Sequence, residues 1–137
     1  MQYNRNYFDV ISVHAYLDSA ASVRDEVITP VSLLLGQTGI QGLKPFWLSE
    51  FSFSSDPGEV SQAQNIHGVY VTLYDNRWWW WKRSIVWDVQ DSPGPPCCPV
   101  FNEGLVRPDL SPKQAWWQYQ QDARGTTQYP TPSPTCP

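Results

Sequence analysis

Four side chains occupy the ends of apolar segments, and their types could act together on one bound molecule. Glu50 lies near the end of one apolar run, His14 and Tyr16 close the run before it, and Trp87 lies in the run after it. The carboxyl ends of parallel strands meet at one edge of a sheet, where α/β folds build their sites. A phenol and an imidazole can orient a carboxylate and hold it ionised. The sequence therefore predicts one site centred on Glu50.

The elements that would position these side chains alternate between strands and helices. Three apolar runs rich in β-branched and aromatic residues predict buried strands over residues 8–16, 45–51 and 84–89. Helical spacing predicts a helix from a Ser22 cap to Gly36, with a kink at Pro30. A second helix is predicted from the Asp56-Pro57-Gly58-Glu59 signal to residue 73, and a third over residues 111–123. The order β-α-β-α-β-α predicts an α/β fold with a parallel sheet and right-handed crossovers.

Composition narrows the classes of partner. Nine Lys and Arg against 13 Asp and Glu give a net charge of −4, which argues against a nucleic-acid partner. No stretch reaches the roughly 18 apolar residues of a membrane-spanning helix, and the N-terminus has no apolar signal core, so neither a membrane partner nor a signal peptide is expected. The cysteines Cys97, Cys98 and Cys136 fit neither a zinc spacing nor a CxxC motif.

The chain divides into a folded part and a tail. Residues 1–124 carry the strand and helix patterns, whereas residues 125–137 are rich in Pro, Thr and Ser and predict an extended tail or linker. A complete (β/α)₈ barrel needs at least about 200 residues. Three βα units in 137 residues cannot close one.

Several short motifs in the same order carry a resemblance to a known family. They are His14-Ala15-Tyr16, Leu48-Ser49-Glu50-Phe51, Trp87, residues 103–107 (EGLVR) and residues 111–115 (SPKQA). Together they resemble strands six to eight of clan A glycoside hydrolases, in particular cellulase-like family 5 and xylosidase-like family 39. The resemblance implies three consecutive βα units of a TIM-barrel-like fold, that is, a partial barrel with parallel strands.

The resemblance also implies roles for the four side chains. Glu50 would be the catalytic nucleophile of a retaining glycoside hydrolase acting on a β-linked polysaccharide or oligosaccharide. His14, Tyr16 and Trp87 would bind the substrate, with the Trp87 indole as a floor beneath the sugar ring. Asp88 and Asp91 could contact sugar hydroxyls or cap the following loop. Neither a cofactor nor a metal is implied.

The retaining mechanism needs a second carboxyl group as general acid and base. In the family this is the Glu of an Asn-Glu pair after strand four, a region this sequence lacks. Asn102-Glu103 has the right residues but lies in the loop after the last predicted strand, so we do not assign it that role. The sequence therefore resembles the carboxyl-terminal part of an enzyme. Its Pro/Thr/Ser tail resembles the linkers of secreted polysaccharide hydrolases, which implies an extracellular location. We expect the isolated chain to be weak or inactive, with exposed strand edges that favour a homo-oligomer.

The run Trp78-Trp79-Trp80-Trp81 leaves an alternative open. In a βα barrel it would lie at the face away from the catalytic loops, which favours packing. Exposed instead, it would form an aromatic platform beside basic residues, and the chain would be a non-catalytic carbohydrate-binding or assembly fragment. A third interpretation is that the exposed run binds single-stranded nucleic acid by stacking bases on the indole rings.

Overall fold

The computed structural model describes residues 7–75, 80–92 and 101–125. Three parallel strands form one open sheet in the order β1-β2-β3, and helices follow each of them. The α/β class and the parallel strands predicted from the sequence are thereby confirmed. The elements are β1 (Ile11–Tyr16), α1 (Ala20–Ser22), a π-helical segment (Val23–Ile28), α2 (Thr29–Gln37), β2 (Phe46–Ser52), α3 (Glu59–Tyr74), β3 (Trp81–Val86) and α4 (Gln114–Ala123).

The two faces of the sheet differ in what covers them. On one face, side chains such as Ala15, Leu48 and Val86 are buried in the core with Ile66 of α3. On the other face, side chains that alternate with these in β1 and β3 are exposed. We call this second surface the open face; it includes Ser12, His14, Tyr16, Arg83 and Ile85. One-sided burial of this kind leaves polar groups of the sheet accessible to a ligand.

A β-bulge at Ser49 decides which face Glu50 occupies. Val13 pairs with Leu48, but the next residue of β1, His14, pairs with Glu50. Ser49 is therefore the extra residue of the bulge, and its hydroxyl donates to the Val13 carbonyl over 3.3 Å. Strict alternation from the fully buried Leu48 would have turned Glu50 into the core. The inserted residue instead carries it to the open face beside His14.

The helix starts differ from the predicted ones by two to three residues. The first helix is capped by Ser19, whose hydroxyl accepts from the Ser22 N–H over 3.1 Å, so Ser22 is not the cap. Pro30 lies at the start of α2, directly after the π-helical segment, and the wider turn there replaces the predicted simple kink.

The first helix thus begins earlier than predicted, whereas the two later helices begin further along the chain than their signals predict. The Asp56 carboxylate does not cap α3, because it accepts a hydrogen bond from the Asn102 side chain over 2.5 Å. The helix begins only after Gly58, which has a positive φ of 125°. The last helix begins at Gln114 rather than at Ser111.

The third strand is shifted toward the N-terminus relative to its prediction, residues 84–89. It begins at Trp81 and ends at Val86, so the prediction that placed Trp87 inside a strand is wrong. Beyond Trp87 the backbone forms hydrogen bonds with residues 105–106 of the loop before α4. The Leu105 N–H donates to the Asp88 carbonyl over 3.3 Å and the Val106 N–H donates to the Val89 carbonyl over 2.9 Å.

Two of the four consecutive tryptophans belong to the core. Trp80 and Trp81 are 2% and 7% exposed, and their rings lie 5.3 Å and 4.6 Å from the Phe46 ring, centroid to centroid. Packing is therefore confirmed for this pair, and an aromatic platform is not supported there. Trp78 and Trp79 lie outside the described residues.

In the part that the structure describes, no helix has the length and apolar character needed to cross a membrane.

The predicted tail falls almost wholly outside the described residues, which end at Gly125. The division of the chain at residue 124 therefore stays a prediction.

Candidate functional site

Glu50, His14 and Tyr16 lie together at the carboxyl ends of β1 and β2. The Tyr16 hydroxyl donates a hydrogen bond to Glu50 Oε2, and His14 Nδ1 lies 3.2 Å from the same oxygen. The side chain of Glu50 is 29% exposed and that of His14 is 51% exposed. The structure thus brings three of the four predicted site residues into direct contact, with the carboxylate accessible from the open face.

The phenol of Tyr16 is held in its protonated form. Desolvation and the hydrogen bond to Glu50, together with the negative charges of Glu50 and Glu103, raise its pKa to about 12. The hydroxyl therefore remains a donor over the whole neutral range. A permanent donor on Oε2 orients the carboxylate while Oε1 takes no part in these two contacts.

Trp87, the fourth predicted residue, lies just past the end of β3. Its backbone N–H donates to the Phe51 carbonyl over 2.9 Å, which ties it to the residue that follows Glu50. Trp87 is about half exposed, and its peptide bond to Asp88 is cis. Trp87 is thus a loop residue beside the site rather than part of a strand.

Glu103 is a site residue that the sequence reasoning missed, because it considered this residue only as an acid and base and set it aside. The Ser52 hydroxyl donates to Glu103 Oε2, and Ser52 is the register partner of Tyr16. The signals in the sequence were the acidic residue directly before Gly104 and the EGLVR motif of residues 103–107, and neither indicates a contact with Ser52.

A cavity of about 290 Å³ opens beside Tyr16. We call it the polar cavity, since seven of its ten lining residues have polar or charged side chains. It is lined by Tyr16, Leu17, Asp18, Ser52, Phe53, Ser54, Pro57, Ser61, Asn65 and Glu103. Tyr16 is the link between Glu50 and this cavity.

The loop that carries Glu103 is fixed by buried polar contacts. Asp91 Oδ1 accepts from Lys113 Nζ over 2.6 Å and from the Gly104 N–H over 2.9 Å. The Gln62 amide donates to the carbonyls of Glu103 and Gly104, each over 3.1 Å. Asp91 is 5% exposed, so it anchors this loop and does not face a ligand.

A metal site has no support in the described part of the chain. Residues 7–75, 80–92 and 101–125 contain no group of three or more His, Cys, Asp or Glu placed to hold an ion. The cysteines Cys97, Cys98 and Cys136 lie outside these ranges.

Comparisons with known proteins find similarity at the level of structure. No protein-family model matches the sequence, and no curated protein matches it. A β-galacturonidase of family GH2 from Eisenbergiella tayi shares 17% identity over 85% of this chain and 24% of its own, with a TM-score of 0.64. The β-glucuronidase of Faecalibacterium prausnitzii shares 15% identity over 89% and 23% of the two chains, with a TM-score of 0.62. That of Bifidobacterium dentium shares 15% over 85% and 21%, with a TM-score of 0.62.

At these identities the similarity establishes a shared fold. This chain shares its fold with part of each of these enzymes and spans about a quarter of their length. The prediction of a fold like that of part of a glycoside hydrolase is supported. The narrower resemblance to families 5 and 39 is not, because the similar structures are β-glucuronidases and β-galacturonidases, with family GH2 named among them.

Proposed function

We propose that this chain is the nucleophile-bearing part of a retaining glycoside hydrolase that acts on β-linked carbohydrate. The observation that carries the proposal is the accessible Glu50 carboxylate, held by Tyr16 and His14 at the carboxyl ends of adjacent parallel strands. The fold shared with β-glycosidases supports a carbohydrate substrate.

The proposed chemistry proceeds in two displacements. A carboxylate oxygen of Glu50 attacks the anomeric carbon and forms a C–O bond while the bond to the leaving oxygen breaks. Water then attacks the same carbon, loses a proton to a general base, and releases Glu50 as a carboxylate. Two inversions at one carbon give net retention.

The remaining residues would position the reacting groups. Tyr16 and His14 hold Glu50 Oε2, and Trp87 offers an apolar face to the C–H side of a sugar ring. The general acid and base must be a second carboxyl group about 5–5.5 Å from the nucleophile in a retaining enzyme. We propose that it belongs to the part of the enzyme that this chain does not span.

A trapping experiment tests the nucleophile without needing that acid. A 2,4-dinitrophenyl 2-deoxy-2-fluoro-β-glycoside has a leaving group that departs without protonation, so a correctly placed nucleophile alone suffices. We expect a covalent glycosyl adduct on the peptide that contains Glu50, detected by mass spectrometry of the digested chain.

Matched variants make the result specific. Glu50→Gln removes the nucleophile and is expected to abolish the adduct, whereas Glu26→Gln changes an exposed helical carboxylate and should leave it unchanged. An adduct on another residue, or an equal yield in Glu50→Gln, would contradict the proposal.

A second candidate is a carbohydrate-binding fragment without catalysis. It is favoured by Trp87 and Tyr16, two half-exposed aromatic side chains, one just past the end of β3 and one at the end of β1. Sugar binding that persists in Glu50→Gln, with no trapped adduct in the unmodified chain, would select this candidate.

A further inference from the structure

The polar cavity beside Tyr16 carries negative charge. Among the described residues that line it, the charged ones are Asp18 and Glu103, and none is Lys or Arg. Tyr16, which also lines it, joins it to the carboxylate of Glu50. A ligand that contacts Glu50 and extends toward the cavity therefore meets three carboxylates.

The basic side chains of the neighbouring loops form ion pairs with carboxylates outside the cavity. Lys113 is 2% exposed and donates to Asp91 over 2.6 Å. Arg107 forms an ion pair with Glu59 over 2.5 Å. Arg83 lies on the open face and donates to the Lys82 carbonyl over 2.9 Å, while His14 lies against Glu50 itself.

The raised pKa of Tyr16 reflects in part the same carboxylates. The negative charges of both Glu50 and Glu103 contribute to it, after desolvation and the hydrogen bond to Glu50. An anion brought next to this phenol would experience the same repulsion.

Neutral sugars and uronic acids are expected to bind such a site with different affinities. Neutral sugars present hydroxyl groups, which can donate to carboxylates such as Glu103 and Asp18. Uronic acids carry a carboxylate, which is recognised in proteins by Arg, Lys or clustered N–H donors. Placing that carboxylate among others without a cation disfavours binding.

We infer that the site takes a neutral glycone and discriminates against uronic acids, with Glu103 and Asp18 as the discriminating residues. This inference rests on the proposed glycosidase function. It separates this chain from the structurally similar enzymes, which are named as glucuronidases and galacturonidases. With identities of 15–17% to them, the residues around the site are free to differ.

The test compares trapping rates of matched neutral and acidic reagents. We would measure how fast 2,4-dinitrophenyl 2-deoxy-2-fluoro-β-glucoside and the corresponding β-glucuronide label Glu50 in the 137-residue chain, and repeat this with the β-galactoside and β-galacturonide. We expect the neutral reagent of a pair to label at least about tenfold faster, as one repulsive contact of about 1.4 kcal/mol would give.

Two variants and a change of salt concentration test whether these carboxylates cause the preference for the neutral reagent. Glu103→Gln keeps an acceptor for Ser52 and should reduce the neutral-to-acidic ratio severalfold, whereas Glu26→Gln should not change it. Added salt should reduce the ratio in the unmodified chain because it screens exposed charges, and this measurement serves if the Glu103 variant fails to fold.

The outcomes separate the two proposals. Labelling of Glu50 by the uronide at an equal or higher rate would overturn the neutral specificity and leave the glycosidase proposal standing. A preference for neutral sugars that neither Glu103→Gln nor salt alters would overturn the assignment to these carboxylates. Labelling by none of the four reagents would overturn the proposed function, and the specificity with it.

Discussion

The hydrogen bond from Tyr16 to Glu50 connects the proposed nucleophile to its surroundings. Tyr16→Phe removes the donor and keeps the ring, so the carboxylate loses its fixed orientation. A hydrogen bond to a charged group contributes about 1.5–3 kcal/mol, and we expect the rate of Glu50 labelling to fall about 10- to 100-fold. Tyr7→Phe, at a side chain that is 83% exposed, is the matched control and should have no effect.

The same phenol should contribute to how stability changes at high pH. Burial and the hydrogen bond to Glu50 raise the pKa of Tyr16 to about 12, and burial also raises the pKa values of Tyr70 and Tyr74. An unfolded tyrosine loses its proton near pH 10, so above that pH the folded chain binds more protons than the unfolded chain. Stability from these groups is complete below about pH 10 and is lost as the pH rises toward about 12.

Urea unfolding at a series of pH values checks this prediction. We expect the free energy of unfolding to decline from pH 10 upward, and to decline less steeply in Tyr16→Phe than in Tyr7→Phe. Parallel curves for the two variants would contradict a raised pKa at Tyr16.

Among the elements, the loop after β3 depends on a close backbone approach at Gly104. A Cβ atom there would lie 2.3 Å from the Asp91 nitrogen and 2.4 Å from the Gln90 carbonyl carbon, so the two backbone segments would have to separate. We expect Gly104→Ala to lower the free energy of unfolding by about 1–3 kcal/mol or more, and to weaken glycoside trapping because Glu103 moves with the loop.

The control is another glycine with space around it. In Gly36→Ala, within α2, the new Cβ would meet only the Gln41 side chain at 3.5 Å, an ordinary contact. Alanine in a helix should leave stability unchanged or raise it by about 0.5–1 kcal/mol. Equal destabilisation by the two substitutions would argue against the close approach at Gly104.

The sequence alone predicts three parallel strands, and the reason is geometric. Apolar runs separated by helical patterns favour parallel strands, and parallel strands bring their carboxyl ends together, so His14, Tyr16 and Glu50 are expected at one edge of the sheet. Their contact also depends on the bulge at Ser49, which was not predicted. The contact of Ser52 with Glu103 could not be predicted. It depends on how a loop about 50 residues further along the chain is tied down by Asp91 and Gln62, and no local pattern encodes that.

For the molecule as a whole, both outer strands of the described sheet have an unpaired edge. Neither β1 nor β3 has a second neighbour among the described residues, and the open face exposes Ile85 and Tyr16. Unpaired edges favour association with another chain, and a homo-oligomer remains our prediction. Light scattering after size exclusion should give a mass above that of one chain, falling with dilution. A single-chain mass at all concentrations would contradict it.

The bulge at Ser49 means that β2 has one residue more than regular pairing with β1 requires. An in-frame loss of the Ser49 codon would remove this extra residue and restore strict alternation along β2, with Glu50 directly after Leu48. Glu50 would keep its place opposite His14, and Phe51 would stay in the core. A variant chain that lacks this single serine would therefore still present its carboxylate on the open face.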